Sequence, residues 1–167
     1  MSENVVKILH QFMSAKRMSD INQWIAKYPA DQKQSAVMST LRIVQEEYGH
    51  LTSELMDAVA DYLDMAPIAV YEVASFYTMY EHQPIGKYLV NVCTNISCKL
   101  KNSDGVVSHL QNKLGIQLGE TTDDGRFTLR SVECLGACVN APMMQVNKEY
   151  HENLTAESID AVLEQYQ

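Results

Sequence analysis

Tyr88-Leu89-Val90-Asn91-Val92 runs straight into Cys93-Thr94-Asn95-Ile96-Ser97-Cys98, and Phe127-Thr128-Leu129-Arg130-Ser131-Val132 runs into Glu133-Cys134-Leu135-Gly136-Ala137-Cys138. The first leader is rich in β-prone residues and the second alternates apolar and polar, so each reads as a strand ending at a cysteine pair. The pairs are C-x4-C and C-x3-C, with 35 residues between them (99 to 133), and they hold all four cysteines of the chain. Between the strands, Val106, Val107, Leu110 and Leu114 recur at helical spacing, with Ser103 expected as the cap and Gly115 as the stop. A helix between two strands favours a parallel pair. Parallel neighbours end on the same edge of a sheet, where open α/β sheets place their ligands. Two loops there would close on one centre.

Outward from this region the periodicity changes. Residues 4–16 put Val5, Ile8, Leu9, Phe12 and Met13 on a helical face, and 19–28 reads as a second helical piece ended by Pro29. Asp31 is expected to cap the next helix, with Gln34 as its reciprocal partner, Val37, Leu41, Val44 and Tyr48 as its apolar face and Gly49 as its stop. Thr52 caps another, with Glu54 at the positive end of its dipole and Leu55, Met56, Val59, Ala60 and Leu63 buried. Pro67 opens a further helix through about Tyr80. On the C-terminal side, 116–126 reads as turns, Met143-Met144-Gln145-Val146 as a short strand turning at Asn147-Lys148, and Thr155 as the cap of a last helix. The expectation is an α+β chain: a helical bundle over residues 1–83, then an α/β domain over residues 84–167, with His82 to Gly86 as the linker.

Composition narrows the partners. The formal net charge is −8. Residues 1–83 carry −5 and residues 84–167 carry −3, so neither half is a basic arm. Such a surface repels phosphate backbones, and no nucleic-acid partner is expected. No apolar run approaches the roughly 20 residues of a membrane span, and the start of the chain lacks the pattern of a signal peptide. The expected location is cytoplasmic, where paired cysteines more often bind metal than form disulfides.

Four thiolates at one sheet edge suit an iron–sulfur cluster or structural zinc. Zinc knuckles favour tight two-residue or sometimes four-residue spacers. Spacers of four and three fit better around a two-iron cluster, each pair gripping one iron. On spacing alone, [2Fe-2S] ranks first, zinc second, and a disulfide or unligated set third. A Rieske centre is excluded, because none of the five histidines falls within a cysteine pair. Lys99, Lys101, Arg126 and Arg130 against Glu133 alone would ease the negative charge of such a cluster. Gly136 would let the backbone approach the sulfurs, and the Thr94 and Ser97 hydroxyls could donate to them. The same cations also read as plain surface charge.

At this point the residues resemble a known family. Tyr48-Gly49-His50-Leu51, Val70-Tyr71-Glu72-Val73-Ala74-Ser75-Phe76-Tyr77-Thr78-Met79-Tyr80, Val92 to Cys98, Gly125 to Leu129 and Glu133 to Pro142 are similar to the thioredoxin-like [2Fe-2S] ferredoxins, the E-type subunits of bacterial NADH:quinone oxidoreductase (respiratory complex I). The resemblance spans about Leu41 to Leu154. It implies a helical N-terminal part and a thioredoxin-like domain. It also implies one [2Fe-2S] cluster on Cys93, Cys98, Cys134 and Cys138, a larger partner subunit that holds FMN and binds NADH, and a place peripheral to the inner membrane. Asn102 departs from the glycine usual after the second cysteine, although asparagine also tolerates left-handed geometry. The chain itself shows no G-x-G-x-x-G and no phosphate loop. NADH gives a hydride and a two-iron cluster moves one electron, so a flavin must stand between them, on another chain. The equivalent small subunit of an NAD-linked hydrogenase or formate dehydrogenase shares the cysteine pattern. A zinc-bound assembly module without redox chemistry is the reading from another class.

The remaining features read as structure. The aromatic run Tyr71, Phe76, Tyr77 and Tyr80 is expected to pack its helix on neighbours. The nine methionines serve as adaptable filler, with Met143 or Met144 able to shield the centre from water. No residue arrangement has a credible catalytic spacing.

Overall fold

The computed structural model describes residues 8–166 of the 167-residue chain. The chain divides into two compact units, with the boundary after Pro84.

The first unit is helical. Its elements are α1 (Ile8–Phe12), α2 (Ala15–Ile25), a 3-10 segment (Ala30–Ala36), α3 (Val37–Tyr48), α4 (Ser53–Tyr62) and α5 (Pro67–Phe76). Leu41, Val44, Val59, Leu63 and Val70 pack together at its centre, all buried. Three expected signals operate as written. Gly49 ends α3 in the left-handed region (φ 79°), the Thr52 hydroxyl accepts from Leu55 N–H at 3.2 Å, and Pro67 opens α5.

Four expectations are corrected. The helix expected over 4–16 breaks after Phe12, because Ser14 turns its hydroxyl to Arg17 N–H and starts α2 at Ala15. Residues 4–7 lie outside the described residues. Asp31 does not cap α3; it lies in the 3-10 segment, and α3 begins at Val37 without a side-chain cap. The helix from Pro67 stops at Phe76, because Tyr77 turns extended. Tyr80 is then buried with its hydroxyl on the Met38 carbonyl at 2.9 Å. The aromatic run thus divides: Tyr80 packs inward, while Phe76 is 78% exposed.

The second unit is a four-stranded sheet with helices. It runs β1 (Tyr88–Cys93), α6 (Ile96–Leu100), α7 (Ser103–Leu114), β2 (Phe127–Val132), β3 (Met144–Val146), β4 (Glu149–His151) and α8 (Ala156–Gln165). The strand order is β2-β1-β3-β4. β1 and β2 are parallel, as the intervening helix required, with Tyr88 opposite Phe127 and Cys93 opposite Val132. β3 pairs antiparallel with β1 and turns back on itself as β4, Asn147 taking the left-handed turn position (φ 53°). Val90, Val92, Leu110, Leu129, Val146 and Ile159 form the core between sheet and helices. Thr155 and Ser158 cap α8 reciprocally.

One cap differs from expectation. Asn102, not Ser103, precedes α7, in the left-handed region (φ 70°). Its carbonyl accepts from Gly105 and Val106 N–H, so the backbone makes the turn. Ser103 is the first helical residue, buried, with no hydrogen-bond partner for its hydroxyl.

Candidate metal centre

β1 and β2 run side by side and stop level, so the chain leaves both at one edge of the sheet. Cys93 closes β1; its N–H donates to the Met143 carbonyl at 3.2 Å. Thr94 N–H donates to the Val132 carbonyl at 3.0 Å, which ties the first exit to the second. Cys93 and Cys98 are 2% and 1% exposed and pack on Met143. Of the two methionines, then, Met143 is the one that covers the cysteines.

The first cysteine loop contains a helical turn that the spacing alone did not suggest. Asn95 starts α6 by accepting from Ile96 N–H with its own side chain at 2.9 Å. Its amide also donates to the Glu133 carboxylate. An asparagine ahead of Ile-Ser-Cys was the available signal, since asparagine favours helix starts. α6 carries Cys98 inward, and Asn102 turns the chain into α7.

The second loop lies outside the strands. Cys134 and Cys138 are both exposed, with their sulfurs 3.4 Å apart. Gly136 between them adopts φ 90°, a conformation that side chains rarely take. Nothing lies within 4 Å of where its side chain would begin. A 3-10 turn (Cys138–Asn140) and a cis Ala141–Pro142 bond lead into β3. From the far side the β4 segment holds this loop. Tyr150 Oη donates to the Leu135 carbonyl at 2.7 Å, Asn140 Nδ2 to Glu152 Oε2 at 2.6 Å, and Asn153 N–H to the Asn140 carbonyl at 2.8 Å.

The two loops are electrostatically one neighbourhood. The Cys98 thiol is pushed up to about 11, first by burial and then by hydrogen bonding with Cys93, and the Cys138 sulfur also bears on it. The Cys138 thiol is raised, first through its bond to Cys134. Ser97 acts on Cys138 in the opposite sense. Crowded thiols oppose one another's ionisation, and a bound cation or cluster would take the place of their protons. Among the described residues, no group of three or more His, Cys, Asp or Glu is placed to hold a single metal ion. The thiols stand instead as two pairs.

The expected helpers separate. Ser97 sits at the site, but the Thr94 hydroxyl lies 3.4 Å from the Val132 carbonyl as its donor. Lys99 is engaged with Asp104 at 3.2 Å. Arg126 pairs with Asp124 at 3.2 Å and precedes β2, at the opposite end of the strand from Cys134. Neither is a free cation facing the sulfurs.

Known proteins carry similar sequences. A family model described as "Thioredoxin-like [2Fe-2S] ferredoxin" matches residues 21–167. The chain is 46% identical over 147 residues to an E-type NADH-quinone oxidoreductase subunit of Rhizobium meliloti (strain 1021), covering 88% of this chain and 86% of that one. It is 40% identical to the E-type NADH-quinone oxidoreductase subunit of Rickettsia conorii, over 96% and 97% of the two chains. It is 46% identical to a mitochondrial "NADH dehydrogenase [ubiquinone] flavoprotein 2" of Dictyostelium discoideum, of which it spans 59%. Among solved structures, an air-oxidized NAD+-reducing [NiFe]-hydrogenase superposes with a TM-score of 0.68 at 22% identity, covering 78% of this chain and 22% of that one. That likeness concerns the fold alone.

Proposed function

Because this chain belongs to the thioredoxin-like [2Fe-2S] ferredoxin family, we propose that Cys93, Cys98, Cys134 and Cys138 hold one [2Fe-2S] cluster and that the chain passes single electrons as the E-type subunit of an NADH-quinone oxidoreductase. The observation that carries this reading is the common edge of β1 and β2, where both cysteine pairs leave the sheet together. All four donors are soft thiols, as iron–sulfur clusters require. Their two-by-two arrangement suits two irons, one for each pair.

When bound, the cluster supplies reversible one-electron chemistry. The chain's own residues do the rest. Met143, Cys93 and Cys98 keep water from the inner side, which holds the local dielectric low. The exposed Cys134 and Cys138 leave the outer side open for exchange with another redox centre. That centre is the flavin of a partner subunit that binds FMN and NADH, since a flavin converts a two-electron hydride into single electrons. The helical unit and the cluster unit divide after Pro84, one residue beyond the expected boundary at Gln83. No described helix is long and apolar enough to cross a membrane, which accords with a peripheral place on the cytoplasmic side of a membrane-bound complex.

Purification under air decides the cofactor. The expected protein is red-brown, with about two irons and two sulfides per chain and an EPR signal on reduction. Colourless, zinc-loaded, EPR-silent protein would overturn the reading in favour of a zinc module. The isolated chain is also expected not to oxidise NADH; activity without a partner would overturn the division of labour.

A further inference from the structure

We propose that Asn95 and Glu133 are positioning residues for the cluster: their hydrogen bond clasps the first cysteine loop to the second and holds the two thiol pairs on one centre. The inference rests on the cluster reading above.

Asn95 stands between Cys93 and Cys98, and Glu133 directly precedes Cys134. They are 38 positions apart in the chain, yet the Asn95 amide donates to the Glu133 carboxylate. The sheet brings them near each other. β1 and β2 end level, with Cys93 opposite Val132, and Thr94 N–H donates to the Val132 carbonyl at 3.0 Å. Past that bond, no backbone hydrogen bond among the described residues joins 95–101 to 133–141. The sheet therefore aligns the two exits, and side chains must hold the loops beyond them.

Asn95 is suited to this because an amide has an acceptor at one end and a donor at the other. Its Oδ1 accepts from Ile96 N–H at 2.9 Å and so starts α6. That helical turn carries Cys98 inward and sets Ser97 against the Cys138 thiol. The other end of the amide is anchored beside Cys134. One side chain thus orients the first pair and ties it to the second. A charged acceptor makes the tie stronger than a neutral one would. Glu133 is the sole acid in 93–101 and 126–140. An acid next to a cluster ligand opposes the gain of an electron, and the tie accounts for its presence there. Glu133 is also exposed, so its side chain adds nothing to the core.

The test uses the full chain with its cluster. Glu133→Ala removes the acceptor and leaves the Asn95 bond to Ile96 in place. Glu133→Gln keeps a side-chain oxygen at the same reach without the charge. Loss of the cluster's visible absorbance in excess chelator is timed for each, and the reduced state is examined by EPR. Glu133→Ala is expected to lose its cluster about tenfold faster than wild type, with altered g values. Glu133→Gln is expected to stay within about threefold of wild type and to restore the spectrum. Asn95→Ala with Glu133→Ala is expected to lose the cluster no faster than Asn95→Ala alone. The metal-free Glu133→Ala chain is expected to unfold in urea with wild-type stability; with that result, a variant that takes up no cluster also supports the inference. Wild-type retention in Glu133→Ala overturns it. So does a glutamine variant that behaves like alanine, or a metal-free alanine variant that is itself destabilised, since the bond would then serve the fold and not the centre. Wild-type protein that shows no two-iron signal fails the cluster reading itself and takes this inference with it.

Discussion

Cys93 and Cys98 sit in a dry pocket against Met143, fixed by a sheet hydrogen bond and a helical turn, whereas Cys134 and Cys138 lie at the surface on a loop tied from outside by Tyr150, Asn140 and Asn153. The same side chain is thus held in two ways. The inner pair belongs to the hydrophobic core and shares its energetics. The outer pair depends on a few polar ties and contributes little to the core. Removing a group from each side should therefore give different results even before any cofactor is bound.

The strongest challenge to this contrast is Met143→Ala. Met143 is fully buried against both inner cysteines, so truncation should cost the metal-free chain about 2–5 kcal/mol. Urea denaturation measures it, and a loss below about 1 kcal/mol would show that the pocket is not packed as described. Next come serine substitutions. Any one of the four should abolish or distort the cluster spectrum, since serine poorly replaces a soft thiolate. Only the inner ones should also harm the metal-free chain: Cys98→Ser buries a hydroxyl and should cost about 1–3 kcal/mol if it lacks a partner. Cys138→Ser should stay within about 0.5 kcal/mol of wild type. Equal losses on the two sides would erase the distinction. A further test lies where the inner loop ends. Asn102→Ala should cost about 1–2 kcal/mol, because its φ of 70° is left-handed, while Asn102→Gly should be neutral or mildly stabilising. A thermal melt that ranks alanine above glycine would show that position 102 does not pay for a left-handed backbone.

The inner loop is more legible in the sequence than the outer one, for a physical reason. Strand periodicity, the crossover helix and the cysteine spacings are local or short-range signals, and they lead to the parallel pair and the shared edge. The α+β class follows from the same signals. Local cues mislead where burial or backbone takes over. Ser103 looks like a cap, but its neighbour Asn102 makes the turn with main-chain bonds and Ser103 is buried. The helix from Pro67 reads too long because Tyr77, Met79 and Tyr80 extend its apolar pattern, yet Tyr80 reaches its buried place by leaving the helix. Arg126 looks close to the cysteines in sequence, and β2 carries it to the far end. The tie from Tyr150 to Leu135 has no sequence signal, since it joins positions whose nearness depends on the β3–β4 turn.

The parallel pairing of β1 with β2 also sets a timetable. Tyr88 pairs with Phe127, so the site cannot close until the whole crossover has been made. Contacts so distant along the chain form late, after loop closure has been overcome. At ~5–20 residues per second of synthesis, Cys134 leaves the ribosome a few seconds after Cys93. During that interval the first two thiols stand without their partners, open to oxidation and to stray metal. Loading the centre is therefore an event of the finished sheet, and a cell that makes this protein must keep its early cysteines reduced until the second strand arrives.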